Sequence, residues 1–509
     1  MKALDVIIIF GYLIGIVLFG TWFGRKQKTT TDYFLGDRSV PWWAVAFSIV
    51  ATETSTITFI SVPGIAFARG GNFQFLQLVF GYLLGRIVIS ILFIPSYFRG
   101  ELLTVYQLLD RRFGGKIKML AASLFVVMRN IADGIRLLLT AIVLAAVYVA
   151  FQPEANVETI TVASIVLIGL AMIIFTYFGG MEAVIWVEVV QLGIYIAGAI
   201  AAAVVLANSI EGGLPAASAL ARQFDKFSVF DFAFDYTKTY TFWSGLIGGC
   251  FLTMSTHGTD QYLVQRYLCT DRPRHATVAL LTSGAIVLAQ FIGFLFIGVL
   301  LFAFYHPFTD AAYATAGSAT FPFASGDRVF PDFITKHMPS GLSGLVVAAI
   351  FAAAMSSSLN SIAATAVNDL YKPFRSGRSD KHYLKVSHLL TLIWGVVQIG
   401  VALAVRNQPG SALGKALSIA SLINGPILGV FLVGTFLRRV SQPPALIGML
   451  ASIAAMLYIF FGRPEIAWTW YVLLGSAITF VVAWLASFLF RPAPANMRDE
   501  LSSAVATED

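Results

Sequence analysis

Charge is what this sequence has least of. Asp, Glu, Lys and Arg make up 12% of its 509 residues, about half the roughly 25% typical of a soluble domain. With 58% apolar residues and a mean hydropathy of +0.79, such a chain cannot cover its interior with a solvated surface, which excludes a cytosolic enzyme. Cysteine is nearly absent. Cys250 and Cys269 are the only two, and the mostly helical chain between them spans roughly 28 Å, so no disulfide is expected. Long polar stretches are missing as well, which leaves no room for a sizeable soluble domain. The six His residues are scattered. There is no His-Glu-x-x-His and no Gly-x-Ser-x-Gly, and Gly410-Ser-Ala-Leu-Gly414-Lys415 has the wrong spacing for a phosphate loop. No enzyme is expected, and transport is not powered by ATP bound to this chain.

What the chain has is apolar runs separated by short polar connections. The first, Ala3 to Phe23, ends in Arg25, Lys26 and Lys28 without a small-residue cleavage site, and reads as a retained helix rather than a signal peptide. Further spans fall near 42–66, 73–98, 119–150, 160–179, 183–208, 241–264, 276–305, 341–367, 383–404, 411–436, 442–461 and 467–489, giving an all-α integral membrane protein of about thirteen transmembrane helices. Alternating the loops with the N-terminus outside puts about 21 of the 34 Lys and Arg on the inner side. Among them are Arg99, Arg111, Arg112, Lys116 and Lys118, and Lys372, Arg375, Arg378, Lys381 and Lys385. The positive-inside rule then sets the C-terminus inside. The net charge of +7 thus reflects orientation in a plasma or bacterial inner membrane, and no nucleic acid is expected as a partner. The connections at 209–240 and 306–340 are expected to carry short helices over the outer mouth, and 490–509 reads as a disordered cytoplasmic tail.

Three spans turn polar at bilayer depth, where each polar group costs several kcal/mol unless it faces a cavity or a partner. The second reads Ser48-Ile-Val-Ala51-Thr52-Glu53-Thr54-Ser55-Thr56-Ile-Thr58, followed by Pro63-Gly64. It suits a helix unwound near its centre, whose freed carbonyls can coordinate a cation; the plain alternative is hydroxyls bonding back to i−4 carbonyls. The seventh has a matching interruption from Gly248 to Tyr262, with Thr256, His257, Asp260 and Gln261. Broken helices five spans apart mark an inverted repeat. In the ninth, Ala353, Ser356 and Ser357 share one helical face, so a carbonyl and two hydroxyls can converge on Na⁺; tight packing of small residues is the alternative.

Other buried charges stay open at this level. Asp133 and Arg136 are either an internal i, i+3 pair or a substrate contact. Glu188 is solvated, salt-bridged or part of a cation exit path, and Arg86 pairs or snorkels.

Together, Asp32-Tyr-Phe-Leu-Gly36 with Val40-Pro41-Trp42-Trp43, Phe178-Gly179-Gly180, Asp260-Gln261-Tyr-Leu-Val-Gln265-Arg266 and Ala349-Ile-Phe-Ala-Ala-Ala354-Met-Ser-Ser-Ser-Leu-Asn360 resemble the sodium/solute symporters, the family of bacterial proline, galactose and sialic-acid carriers and human sodium-glucose carriers. The resemblance implies a LeuT-type fold of five plus five helices, with repeats at 42–208 and 241–436, one helix before them (1–23) and two after (442–489). It implies a sodium site from the carbonyls of Ala51, Thr54 and Ala353 with the hydroxyls of Ser356 and Ser357. A second sodium site would use Glu188 and Ser358, although Glu188 stands where the family tends to have Asp, and the serine run is about three residues shorter than usual. The implied substrate pocket takes Thr52, Glu53, Ser55, Thr58, Phe73, Gln77, Asp133, Thr256, His257, Asp260 and Gln261. Where sialic-acid carriers present an arginine, this sequence is expected to present Asp133.

The function expected is therefore sodium-coupled symport of a small polar solute (sugar, polyol, amino acid or organic acid) by alternating access, performed by a single chain in the lipid bilayer. One Na⁺ moving down −100 mV supplies about 2.3 kcal/mol from the potential alone. The rivals are a proton-coupled carrier of the same fold and a sodium channel or solute sensor.

Overall fold

The structure is a computed structural model that describes residues 3–23, 29–54, 56–100, 102–152, 154–305, 319–323, 325–355, 358–406 and 412–494. Among the described residues its framework is helical. The helices are α1 (Ala3–Phe23), α2 (Thr30–Leu35), α3 (Trp42–Glu53), α4 (Thr56–Phe67), α5 (Leu76–Leu92), α6 (Ile94–Tyr97), α7 (Gln107–Phe113), α8 (Gly115–Phe151), α9 (Val157–Ser209), α10 (Gly213–Gln223), α11 (Gly249–Gly258), α12 (Gln261–Leu268) and α13 (Pro273–Tyr305). They continue with α14 (Val329–Lys336), α15 (Leu342–Met355), α16 (Leu359–Thr365), α17 (Asp380–Val405), α18 (Ala412–Phe436), α19 (Gln442–Gly462) and α20 (Tyr471–Ala486).

Local chemistry explains where these helices start and stop. Thr29 and Asp32 form a reciprocal capping box at the start of α2, and Gly36 ends it in the left-handed region at φ 53°, as helix termini favour. Gly180, at φ 62° and ψ −163°, kinks α9, at the Gly179-Gly180 motif that separates two of the expected spans. The long connections do carry short helices, α10 and α14.

Among the described residues, seven stretches are long and apolar enough to cross a membrane, and α3 with α4 adds a bent pair. Several of the other expected spans carry polar or interrupted segments. α8 carries Arg129, Asp133 and Arg136 midway, α5 carries a wholly buried Arg86, and α11 and α12 are interrupted. The outer helices show the opposite face, with Ile7 and Leu18 on α1 and Phe461 on α19 more than 60% exposed, as an apolar surface in lipid is.

The inner helices approach closely. A Cβ on Gly81 of α5 would sit 2.3 Å from the Gly245 carbonyl beside α11, and one on Gly298 of α13 would sit 2.2 Å from the Pro63 carbonyl of α4. Glycine is required at both contacts. α3 packs on α9 and α13, α4 on α13, and α15 on α1, α9 and α4.

Candidate functional site

Two interrupted helices meet at the centre of this bundle. α3 and α4 are inclined at 59°. At the break Thr54 leaves helical geometry (ψ 71°), and Thr58 on α4 donates to the Glu53 carbonyl at the end of α3 (3.1 Å). Thr52 and Thr54 also donate to the i−4 carbonyls of Ser48 and Val50 (2.7 and 2.8 Å), so back-bonding and the break coexist. The second interruption falls at Thr259-Asp260, where the Asp260 carboxylate accepts from the Tyr262 amide (2.8 Å) and caps α12.

Between the two breaks lies a cavity of about 250 Å³. Its polar wall contains Thr52, Glu53, Thr58, Thr256, His257 and Asp260 from the expected set, together with Arg129, Arg136 and Asn424. Its apolar wall includes Phe75 stacked on Phe291 (centroids 5.0 Å apart), with Tyr82, Tyr240 and Trp468. Every guanidinium in this region faces a carboxylate. Arg86 donates to Glu53, which also meets His257 through the same oxygen, and the other ring nitrogen of His257 lies 3.1 Å from the Thr256 hydroxyl. Arg129 binds Asp260 at 2.7 Å and lies over the Tyr262 ring. Arg136 lies 3.7 Å from Asp133 and donates to the Tyr262 hydroxyl (3.4 Å). The wall is thus rich in donors and acceptors yet balanced in charge, suited to orienting a polar solute among aromatic faces.

Four expected pocket residues do other work. Gln77 accepts from the Asp231 amide (3.0 Å) and donates to the Tyr240 carbonyl (3.4 Å), and Phe73 packs on Phe227. Both anchor the 224–240 connection, each two residues from Phe75, which does line the cavity. Gln261 is spent on the backbone of Val105 and Leu103 (2.8 and 3.1 Å). Asp133 is turned behind Arg136 and takes a hydrogen bond from Ser358. The expectation that Asp133 lies on the pocket wall is thereby corrected: Arg129 and Arg136 line the cavity and Asp133 does not. Ser55, Ser356 and Ser357 lie outside the described residues.

Glu188 and Ser358, the residues expected for a second sodium site, hold different partners. Ser358 is engaged by Asp133, whereas Glu188 is wholly buried against Arg266, with Nη2 to Oε1 at 2.5 Å and Nε to Oε2 at 3.2 Å. Ser48 and Thr52 donate to the same carboxylate. Of the first-site residues, Ala51 is buried in the last turn of α3, Thr54 stands at the break, and Ala353 is in the last turn of α15.

Arg129, Phe75 and Asn424 were not singled out from the sequence. Asn424 carried a readable signal, a lone carboxamide before Gly425-Pro426 in an apolar span.

Residues 33–452 match the sequence profile of the sodium:solute symporter family, and the chain belongs to that family. It is 30% identical to the sodium/sialic acid symporter of Aliivibrio fischeri, over all of this chain and 97% of that protein. It is 28% identical to the human sodium/iodide cotransporter, over 94% of this chain and 73% of that one. The structure of a substrate-bound, outward-open Na⁺-coupled sialic acid symporter superposes with a TM-score of 0.83 at 30% identity, covering 97% of this chain and 99% of that one. A nucleobase-cation-symport-1 family transporter shares the fold at a TM-score of 0.55 and 13% identity, covering 92% and 97%.

Proposed function

We propose that the protein is a secondary active transporter that moves a small polar solute together with Na⁺ by alternating access. The carrying observation is the cavity enclosed by two discontinuous helices, α3–α4 and α11–α12. Such a break frees backbone carbonyls at membrane depth without exposing them to lipid. Sodium is held by the carbonyls of Ala51, Thr54 and Ala353 and the hydroxyls of Ser356 and Ser357, all neutral oxygens that release a monovalent cation readily. The solute occupies the cavity beside it, contacting Thr52, Glu53, Ser55, Thr58, Thr256, His257 and Asp260 along with Arg129 and Arg136. Each guest favours the state that binds the other, and the bundle rocks to release both on the far side.

The architecture in this reading is thirteen spans, with repeats at 42–208 and 241–436, the N-terminus outside and the C-terminus inside a plasma or inner membrane. The loop charges support it, and a single chain suffices. Sugars, polyols, amino acids and organic acids are the candidate solutes. The guanidiniums on the cavity wall keep organic anions among them, in keeping with relatives named for sialic acid. The contact between His257 and Glu53 is the one observation that favours proton coupling instead.

Proteoliposomes at fixed pH decide the matter. Under an inward sodium gradient, uptake of one of a panel of labelled sialic acid, monocarboxylates, sugars and amino acids is expected, with none when choline replaces sodium. Uptake that ignores sodium but follows a proton gradient would reverse the coupling assignment.

A further inference from the structure

Two buried polar side chains hold the far ends of the helices that the proposed sodium site joins. Lys226, in the connection after α10, is 1% exposed. Its Nζ donates to the carbonyls of Ala66, Phe67 and Ala68 (2.9, 3.1 and 2.6 Å) and lies 4.4 Å from the centre of the Phe302 ring on α13. These carbonyls end α4, where a helix leaves acceptors without intrahelical donors. Asp5 does the converse on α15. Wholly buried on α1, its Oδ1 accepts from the amides of Gly341 and Gly344 (2.7 and 2.9 Å) and from the Ser343 hydroxyl (2.8 Å), and its Oδ2 from the Ser340 hydroxyl (3.2 Å). A carboxylate there satisfies the orphan amides and suits the positive end of the helix dipole. The seat is tight: a Cβ on Gly344 would come within 2.7 Å of the Asp5 Cα.

Each cap comes from outside the helix it holds, and each grips the end away from the break. α4 runs 12 residues and α15 runs 14, so the caps stand roughly 14–21 Å from the proposed sodium ligands. At that distance neither side chain touches the ion. What a cap fixes is the register and axial rotation of a rigid helix. Those two settings decide whether the oxygens at the break and those beyond Ala353 converge on one point.

We propose that Asp5 and Lys226 are positioning residues of the sodium site, clamping α15 and α4 so that their facing ends stay at coordinating separation. The extra helix α1 thereby becomes part of the coupling machinery. This rests on the sodium-site reading above.

Caps also contribute to stability, so the deciding readout is sodium itself. Asp5→Asn, Lys226→Met, Lys226→Arg and the pair Ser356→Ala with Ser357→Ala are purified into nanodiscs. Radiolabelled sodium is titrated without solute, and thermal melting is followed in choline. Asp5→Asn and Lys226→Met are expected to raise the half-saturating sodium concentration by about threefold or more. Lys226→Arg, which keeps the donors, restores it in part. Wild-type sodium affinity in both Asp5→Asn and Lys226→Met, whatever their melting temperatures, overturns the proposal. If those two bind sodium normally while the serine pair does not, only the clamp is lost. If the serine pair binds sodium normally, the site assignment itself has failed. Should Lys226→Met not assemble, Asp5→Asn, nearly identical in shape to the native side chain, decides alone.

Discussion

Glu188 and Arg266, 78 residues apart, form a wholly buried two-point ion pair that links α9 to α12. The same carboxylate receives the hydroxyls of Ser48 and Thr52 on α3. One acidic group therefore braces the segment just before the first break against the segment just after the second. It fixes the relative position of the two half-helices that enclose the cavity.

Removing one partner should leave a bare charge in a dry site, at a cost of about 3–5 kcal/mol. Arg266→Met and Glu188→Gln are each expected to lower the melting temperature and yield strongly in detergent, and the double variant to recover part of the loss. Additive losses in the double variant would show that the pair is not coupled.

Glu53 plays a different part, because it faces the cavity while pairing with Arg86 and His257. Glu53→Gln keeps the shape and removes the charge, releasing Arg86 toward the solute. Uptake is expected to fall at least about tenfold, the effect of losing a charge-assisted contact, with sodium binding retained. Unaltered uptake would remove Glu53 from the solute site.

Much of this was legible in the sequence, since the cost of polar atoms in lipid is written locally. Five hydroxyls and a carboxylate from Thr52 to Thr58 mark the first break, and Gly258-Thr-Asp260 marks the second within two residues. Partner choice was not legible. Arg86 with Glu53, Arg129 with Asp260 and Asp133 with Ser358 join residues 33, 131 and 225 positions apart. Helical spacing offered Asp133 only its neighbour Arg136 and could not turn it from the cavity. Gln77 and Phe73 went astray for a related reason: both are held by the 224–240 connection folding over the start of α5, and periodicity carries no record of that packing.

The central claim is that neutral oxygens between the broken helix and the end of α15 hold the coupling sodium. Its most direct measurement is radiolabelled-sodium binding to the Ser356→Ala, Ser357→Ala double variant beside the wild type, with monodispersity checked by size exclusion. Saturable binding by the wild type and none by a well-folded double variant is the predicted result. Equal binding by both would contradict the account.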